Sequence, residues 1–271
     1  MGTIVNSISS SELLPALEVN MTAFYKPYGR GFGGELRESP ELVQFISGFP
    51  VPLFNGMMDA RLAAERVDEA IVEACQACTK HQVPALWWVG PNAQPKDLSA
   101  HLERHGFMPS GTVPGMAVDL DKIQEPGRLA DGLEVQLVTD ASLIKLWSEI
   151  GWVASGFPAD LASLFSEIEA QMGIDANGLR RRYLGYWRGK PVGTSVLVLN
   201  AGVAGIFAVS TLPEARGHGL GTALTLAPLR DGRAAGYRVG TLQASNMGYP
   251  IYHRLGFQEV CQFTMFLWAN Q

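Results

Sequence analysis

The chain has little cysteine, no excess of basic over acidic residues and no long uninterrupted apolar run. Its three cysteines, Cys75, Cys78 and Cys261, do not make a disulfide framework, so a reducing, cytoplasmic setting is expected. Lys and Arg total 21 against 26 Asp and Glu, a net charge of −5, and the longest basic run is the three arginines 180–182. That excludes an electrostatic grip on nucleic acid as the main role. No uncharged apolar segment reaches the roughly 18 residues that a membrane-spanning helix needs. The opening residues, MGTIVNSISSSELLPALEV, lack the basic start and apolar stretch of a secretion signal. Asn6 stands where acylation of Gly2 would want Ser or Thr. The expectation is a soluble chain with neither a membrane nor a nucleic-acid partner.

What is present suits a globular protein: 47% hydrophobic and 17% charged residues, enough apolar material for packed cores. At roughly 100–200 residues per domain, 271 residues favour two domains. The seam reads at Asp121 to Gly132, DKIQEPGRLADG, a polar stretch with Pro126 and two glycines. This divides the chain into 1–120, a linker at 121–132, and 133–271.

Beyond the seam, LEVQLV (133–138) alternates like a half-buried strand. Ala141 to Ser155 and Asp160 to Met172 carry apolar residues at helical spacing, separated by Pro158. Residues 183–211 read as three strands joined by turns at Arg188–Pro191 and Asn200–Gly202. A glycine-rich stretch and a helix to about Ala235 follow. Then come a strand (237–245), a short helix (250–255) and a final strand. Before the seam, a helix (65–81), a strand (84–90), a helix (95–107) and a strand (113–120) repeat that order. His105-Gly-Phe107 matches Leu255-Gly-Phe257 at an offset of 150. The reading is a divergent internal duplication.

The glycine-rich stretch is EARGHGLGT, Glu214 to Thr222, between a strand and a helix. The first amides of a helix lack internal acceptors, and the helix dipole adds partial positive charge there. Together they favour phosphate. Gly217, Gly219 and Gly221 let a pyrophosphate approach the backbone, and Arg216 adds fixed charge. The bland alternative is a flexible turn. No Gly-Lys-Ser/Thr of a P-loop is present, and the spacing is not the dinucleotide fingerprint.

Downstream, ASNMGYPIYHRLGF (244–257) sets Asn246 after a strand and Tyr252 four residues before Gly256-Phe257. With Arg216-x-x-Gly219-x-Gly221, this pair of motifs resembles the GCN5-related N-acetyltransferase (GNAT) family. The resemblance covers 133–271 well and 1–120 weakly, as in two-domain bacterial members with a degenerate first half. It implies an α/β (α+β) fold of tandem GNAT-like domains, each a mixed, mostly antiparallel sheet flanked by helices. It also implies acetyl-CoA as co-substrate, no metal, and an acceptor that is a small-molecule amine or a peptide N-terminus.

Carried over by residue, Val209, Ser210 and Thr211 would face the thioester and pantetheine. A backbone amide near Val209 would bind the acetyl oxygen. Arg216, Gly217, His218, Gly219, Leu220, Gly221 and Thr222 would cradle the pyrophosphate. Asn246 and Tyr249 would line the coenzyme arm. Tyr252 would protonate the leaving thiolate. Trp152 and Phe157, in the break GWVASGFP (151–158), are candidates for touching the acceptor, against plain core packing. Pro228 is expected to kink or shorten the glycine-opened helix.

The first half lacks these parts. MMDARLAAERV precedes its helix, and Leu102 stands at the position of Tyr252. Cys75-x-x-Cys78 reads as core packing in mid-helix rather than a redox motif. The five histidines do not cluster in the sequence. Glu214 is a candidate base but more simply a turn residue. Two other readings stay open: an acyl-CoA-binding regulator without catalysis, and a transferase for a longer acyl group.

Overall fold

The structure is a computed structural model that describes residues 3–31, 33–127 and 130–269. Met1-Gly2, the acylation position, and Arg128-Leu129 of the expected linker lie outside the described residues.

The chain runs α1 (Leu13–Tyr25), β1 (Glu35–Glu38), β2 (Val43–Ile46), β3 (Asn55–Met58), α2 (Val67–His81), β4 (Ala85–Val89), α3 (Leu98–Arg104) and β5 (Met108–Asp119). It continues with β6 (Leu133–Leu137), α4 (Ala141–Ala154), α5 (Ala162–Met172), β7 (Arg180–Trp187), β8 (Lys190–Asn200) and β9 (Val203–Thr211). It ends with α6 (Leu220–Ala234), β10 (Val239–Gln243), α7 (Tyr249–Arg254) and β11 (Gln258–Trp268). This is a mixed α/β chain, as expected. The helix α1 and the strands β1 to β3 were not read from the sequence.

Two compact units emerge, and they divide the chain differently from the expected seam. One holds Met1–Asn20 with Met116–Glu259; the other holds Met21–Gly115 with Val260–Gln271. Each unit therefore takes a short piece from the far end of the chain.

In the first unit, β6, β7, β8 and β9 form an antiparallel meander, and β10 joins β9 in parallel. The helix α6 makes the crossover that a parallel pair requires. β8 is buried from Val192 to Leu199 without alternation, which marks a strand covered on both faces. The N-terminal piece buries Val5, Leu13, Ala16 and Leu17 and is tied in by polar contacts as well. Val5 N donates to Gly202 O (3.1 Å), and Ile8 N donates to Asp119 Oδ1 (2.9 Å). The fully buried Asn20 gives its amide to Val198 O (3.0 Å), Asn200 O (3.1 Å) and Val203 O (3.3 Å), closing the β8–β9 turn. Residues of the expected linker are held here as well: Gln124 N donates to Leu255 O (3.0 Å), and Glu125 pairs with Arg230.

α4 starts at Asp140, whose carboxylate accepts from Ser142 N (2.9 Å) and Leu143 N (3.0 Å). The side-chain bond from Ser142 leads the causes that lower its pKa. α6 runs unbroken to Ala234 through the buried Pro228, so the expected shortening does not occur. The one bond that Pro228 cannot donate lies two turns past the helix start.

In the second unit, β1, β2 and β3 are antiparallel, β4 joins β3 in parallel across α2, and β11 pairs antiparallel with β4. Its core gathers around Trp87, Ile71, Leu98 and Phe107. Cys78 is fully buried there, and burial pushes its thiol up to about 12 and that of Cys75 up to about 11. Both are inert packing residues at neutral pH, in line with the mid-helix reading. The histidines are less scattered than the sequence suggested. Asp68 Oδ1 accepts from His101 Nδ1 (2.8 Å) and His105 Nε2 (2.9 Å), and these bonds, that from His101 first, lower the carboxyl pKa.

The order of elements repeats between the units, down to single hydrogen bonds. α2 and α6 each have 15 residues, and β4 and β10 each have five. After α3, Phe107 N donates to Leu102 O (3.0 Å); after α7, Phe257 N donates to Tyr252 O (3.1 Å). The glycines in these turns, Gly106 and Gly256, have φ of 86° and 94°, which explains the shared Gly-Phe signature.

Candidate active site

β9 and the start of α6 are the scaffold of the site. β10 pairs with β9 only at Ala204 and Gly205; beyond them the two strands have no register. On its other side β9 carries a bulge. Thr194 faces Ser210 and Val196 faces Phe207, so Ala208 and Val209 stand opposite Ser195 alone. Ala208 has φ of +49°. The end of β9 is thus set apart from β10 by a local distortion.

The chain then turns through Pro213–Ala215 into the glycine stretch. Gly217 and Gly219 have φ of 82° and 84°, left-handed values that other residues adopt at a cost. Gly219 caps α6, and Ala223 N donates to Gly219 O (3.0 Å) as the first helical bond. The amides of Leu220, Gly221 and Thr222 precede any helical acceptor. No acidic residue occupies the first turn of α6. Arg216 folds back, giving Nε to Thr211 O (3.1 Å) and Nη2 to Ala154 O (3.3 Å). It links the end of α4 to the glycine stretch.

These parts open on one cavity of about 710 Å³. Of the residues singled out in the sequence, Val209, Ser210, Thr211, Arg216, Gly217, Gly219, Leu220, Gly221, Thr222 and Tyr252 line it. Tyr252 is only 7% exposed, and its ring and hydroxyl lie against Gly248, where an added Cβ would come within 2.6 Å of the ring. Burial pushes the Tyr252 hydroxyl up to about 12. It therefore stays protonated, and able to donate, across the physiological range.

The other singled-out residues are not among those that line the cavity. The ring of His218 stacks on Trp187 with centroids 4.1 Å apart, which leaves only its backbone to the glycine stretch. Tyr249 packs on the hydrophobic core and stacks with His253. Asn246 is not among the lining residues; Ser245 and Met247 on either side of it are. Trp152 and Phe157 stack on each other (4.5 Å), and Trp152 is 1% exposed with Nε1 donating to Pro158 O (2.7 Å). Neither lines the cavity; the break between them does, as Ala154, Ser155 and Gly156. Glu214 is exposed and is not a lining residue, although Ala215 and Arg216 beside it are.

Sequence reasoning missed Ser245, Gly248, Ile251 and Arg254 as lining residues. Ser245 was legible as a serine between strand and helix: its carbonyl accepts from Gly248 N (3.0 Å) and Tyr249 N (2.9 Å), turning the chain into α7. Among the described residues, no group of three or more His, Cys, Asp or Glu side chains could hold a metal ion. Among the same residues, no helix is long and apolar enough to cross a membrane.

Residues 199–260 match the family model described as an acetyltransferase (GNAT) domain. The GCN5-related N-acetyltransferase from Kribbella flavida superposes with a TM-score of 0.70 at 18% identity, covering 94% of this chain and 96% of that one. The chain has the GNAT fold.

Two further solved structures carry the same GNAT architecture. One is the GCN5-related N-acetyltransferase from Sphaerobacter thermophilus, with a TM-score of 0.59 at 17% identity over 98% of this chain and 96% of that one. The other is described as a tandem GNAT protein from the clavulanic acid biosynthesis pathway, with a TM-score of 0.60 at 17% identity over 85% and 79%. A search of the curated proteins finds no match. The stretch matched to the GNAT domain contains β9, the glycine stretch, β10 and α7, which carry most of the cavity wall.

Proposed function

We propose that the protein is an N-acetyltransferase that moves an acetyl group from acetyl-CoA to a primary amine, either a small molecule or a peptide N-terminus, in the cytoplasm. One observation carries this reading: the glycine-opened start of α6, the distorted end of β9 and a buried tyrosine all face the same cavity. We assign the activity to the unit of Met116–Glu259, with the other unit a degenerate copy from an internal duplication.

The residues present fit acetyl-CoA. Gly217 and Gly219 hold left-handed backbone, and an added Cβ at Gly217 would meet nothing within 4 Å, so the glycines serve conformation and access rather than packing. Bound there, acetyl-CoA supplies an acetyl thioester that a neutral amine attacks directly, with release of the thiol. The free amides of the first α6 turn, with Arg216 beside them, hold the pyrophosphate. The backbone of Val209 donates to the acetyl oxygen as negative charge develops on it. Tyr252, kept protonated by burial, would give its proton to the departing sulfur and be reprotonated by the proton that the amine nitrogen sheds, directly or through water.

Thiol release from acetyl-CoA over a panel of amines tests the reading, alongside calorimetry of acetyl-CoA alone. Release with at least one amine is expected. Binding without release from any amine would make the chain an acyl-CoA sensor. Release from longer acyl thioesters in preference to acetyl would move it to another acyl group.

A further inference from the structure

We propose that Thr194, on β8, is the positioning residue that aims the Val209 amide at the acetyl oxygen. The inference rests on the acyl-CoA reading of the cavity and goes beyond it by naming how the donor is held.

Thr194 is fully buried. Its hydroxyl donates to Ala208 O (3.0 Å) and lies 2.7 Å from Ser210 Oγ. A threonine hydroxyl has one proton. With that proton on Ala208 O, the Ser210 hydroxyl is the donor in the second bond. A short chain results, Ser210 to Thr194 to the carbonyl of Ala208.

That carbonyl belongs to the same peptide unit as Val209 N–H. In a planar trans peptide the C=O and N–H point in opposite directions. Holding the carbonyl on the β8 side turns the N–H away from β8. On that side the pairing of β9 with β10 has ended four residues earlier, after Gly205, and Val209 lines the cavity. The left-handed φ of +49° at Ala208 is a strained setting for a residue with a side chain. The threonine bond offsets part of that strain by tying down the peptide it produces.

The threonine is itself braced. Trp147 Nε1 donates to the carbonyl of the next residue, Ser195 (3.3 Å), and Gly151 of α4 lies so close that an added Cβ would be 3.2 Å from Thr194 Oγ1. Helix, strand and bulge are thus held in register around one hydroxyl.

The test compares acetyl-CoA with its S-ethyl thioether analogue, which keeps the coenzyme but lacks the acetyl oxygen. Calorimetry on the whole chain reads both ligands. Wild type is expected to prefer the thioester by about tenfold. Thr194→Val, the same shape without the hydroxyl, is expected to lose that preference while holding the thioether with unchanged affinity, and to lose about tenfold or more in kcat. Thr194→Ser is expected to restore both. Unchanged thioether binding shows an intact fold and phosphate site. A measurement on wild type needs no variant: the Val209 amide proton should shift downfield with acetyl-CoA and not with the thioether. Retained preference in Thr194→Val, or an amide shift that ignores the carbonyl, overturns the role of Thr194. Binding of neither ligand by wild type overturns the acyl-CoA reading and this proposal with it.

Discussion

α6 and α2 occupy the same place in the two units, each crossing from a strand to its parallel neighbour, and they begin in opposite ways. α6 opens with Gly217 and Gly219 in left-handed conformation and no acid in its first turn. α2 opens with Val67, Asp68 and Glu69; Asp68 is held by two histidines and Glu69 by Arg66. Two carboxylates at a helix N-terminus satisfy the dipole internally and repel a phosphate. The short helices that follow differ in the same sense, with Tyr252 in one and the fully buried Leu102 in the other. Equal backbones thus carry unequal chemistry. A few side chains at a helix start and one aromatic hydroxyl distinguish the unit proposed to be catalytic from the other.

The largest effect expected from breaking this contrast comes at Gly219. Gly219→Val forces a β-branched residue into φ of +84°, a strain of at least about 1–2 kcal/mol, and sets a side chain before the free amides. Acetyl-CoA affinity should fall by about 10²-fold; wild-type affinity would place the phosphate elsewhere. Tyr252→Phe comes next, with turnover down about 10²-fold where protonation limits and coenzyme affinity unchanged. The pH profile sharpens the same assignment. Burial raises the Tyr252 hydroxyl to about 12, so its acid form persists past the ordinary tyrosine range. Activity should hold through pH 10; loss with an apparent pKa near 10 would point to an exposed phenol instead.

A smaller effect concerns where the units divide. Asn20 serves three carbonyls of the β8–β9 turn. Asn20→Ala should lower stability by about 2 kcal/mol, read by urea unfolding. No change would separate the N-terminal piece from this unit. The smallest effect expected is none at all: Leu102→Tyr should add no second coenzyme site, because Asp68 and Glu69 remain at the start of α2. A gain of a second site by calorimetry would overturn that electrostatic account.

The motif-bearing part of the fold was legible because its signals are local. Glycines that need left-handed backbone, the Gly-Phe turn and the apolar periods of α2, α4 and α6 all act within a few residues. The N-terminal strap was not legible, since Val5, Ile8 and Asn20 are fixed by hydrogen bonds to residues more than 100 positions away. The exchange of chain ends between the units was hidden for the same reason. At the site, the break between α4 and α5 was visible, but its aromatics drew the reading away from Ser155 and Gly156. Trp152 turns inward to stack on Phe157 and pack at a tilt against Phe165, and sequence spacing alone cannot tell that face from one turned to a cavity. Thr194 gave no signal, because its role depends on a bulge in the neighbouring strand.

The central claim is that one unit alone carries an acyl-CoA site. Calorimetric titration of the whole chain with acetyl-CoA tests it most directly, through the stoichiometry. One equivalent per chain, weakened about 10²-fold by Gly219→Val, is the predicted result. Two equivalents, or one that survives Gly219→Val unchanged, would contradict it.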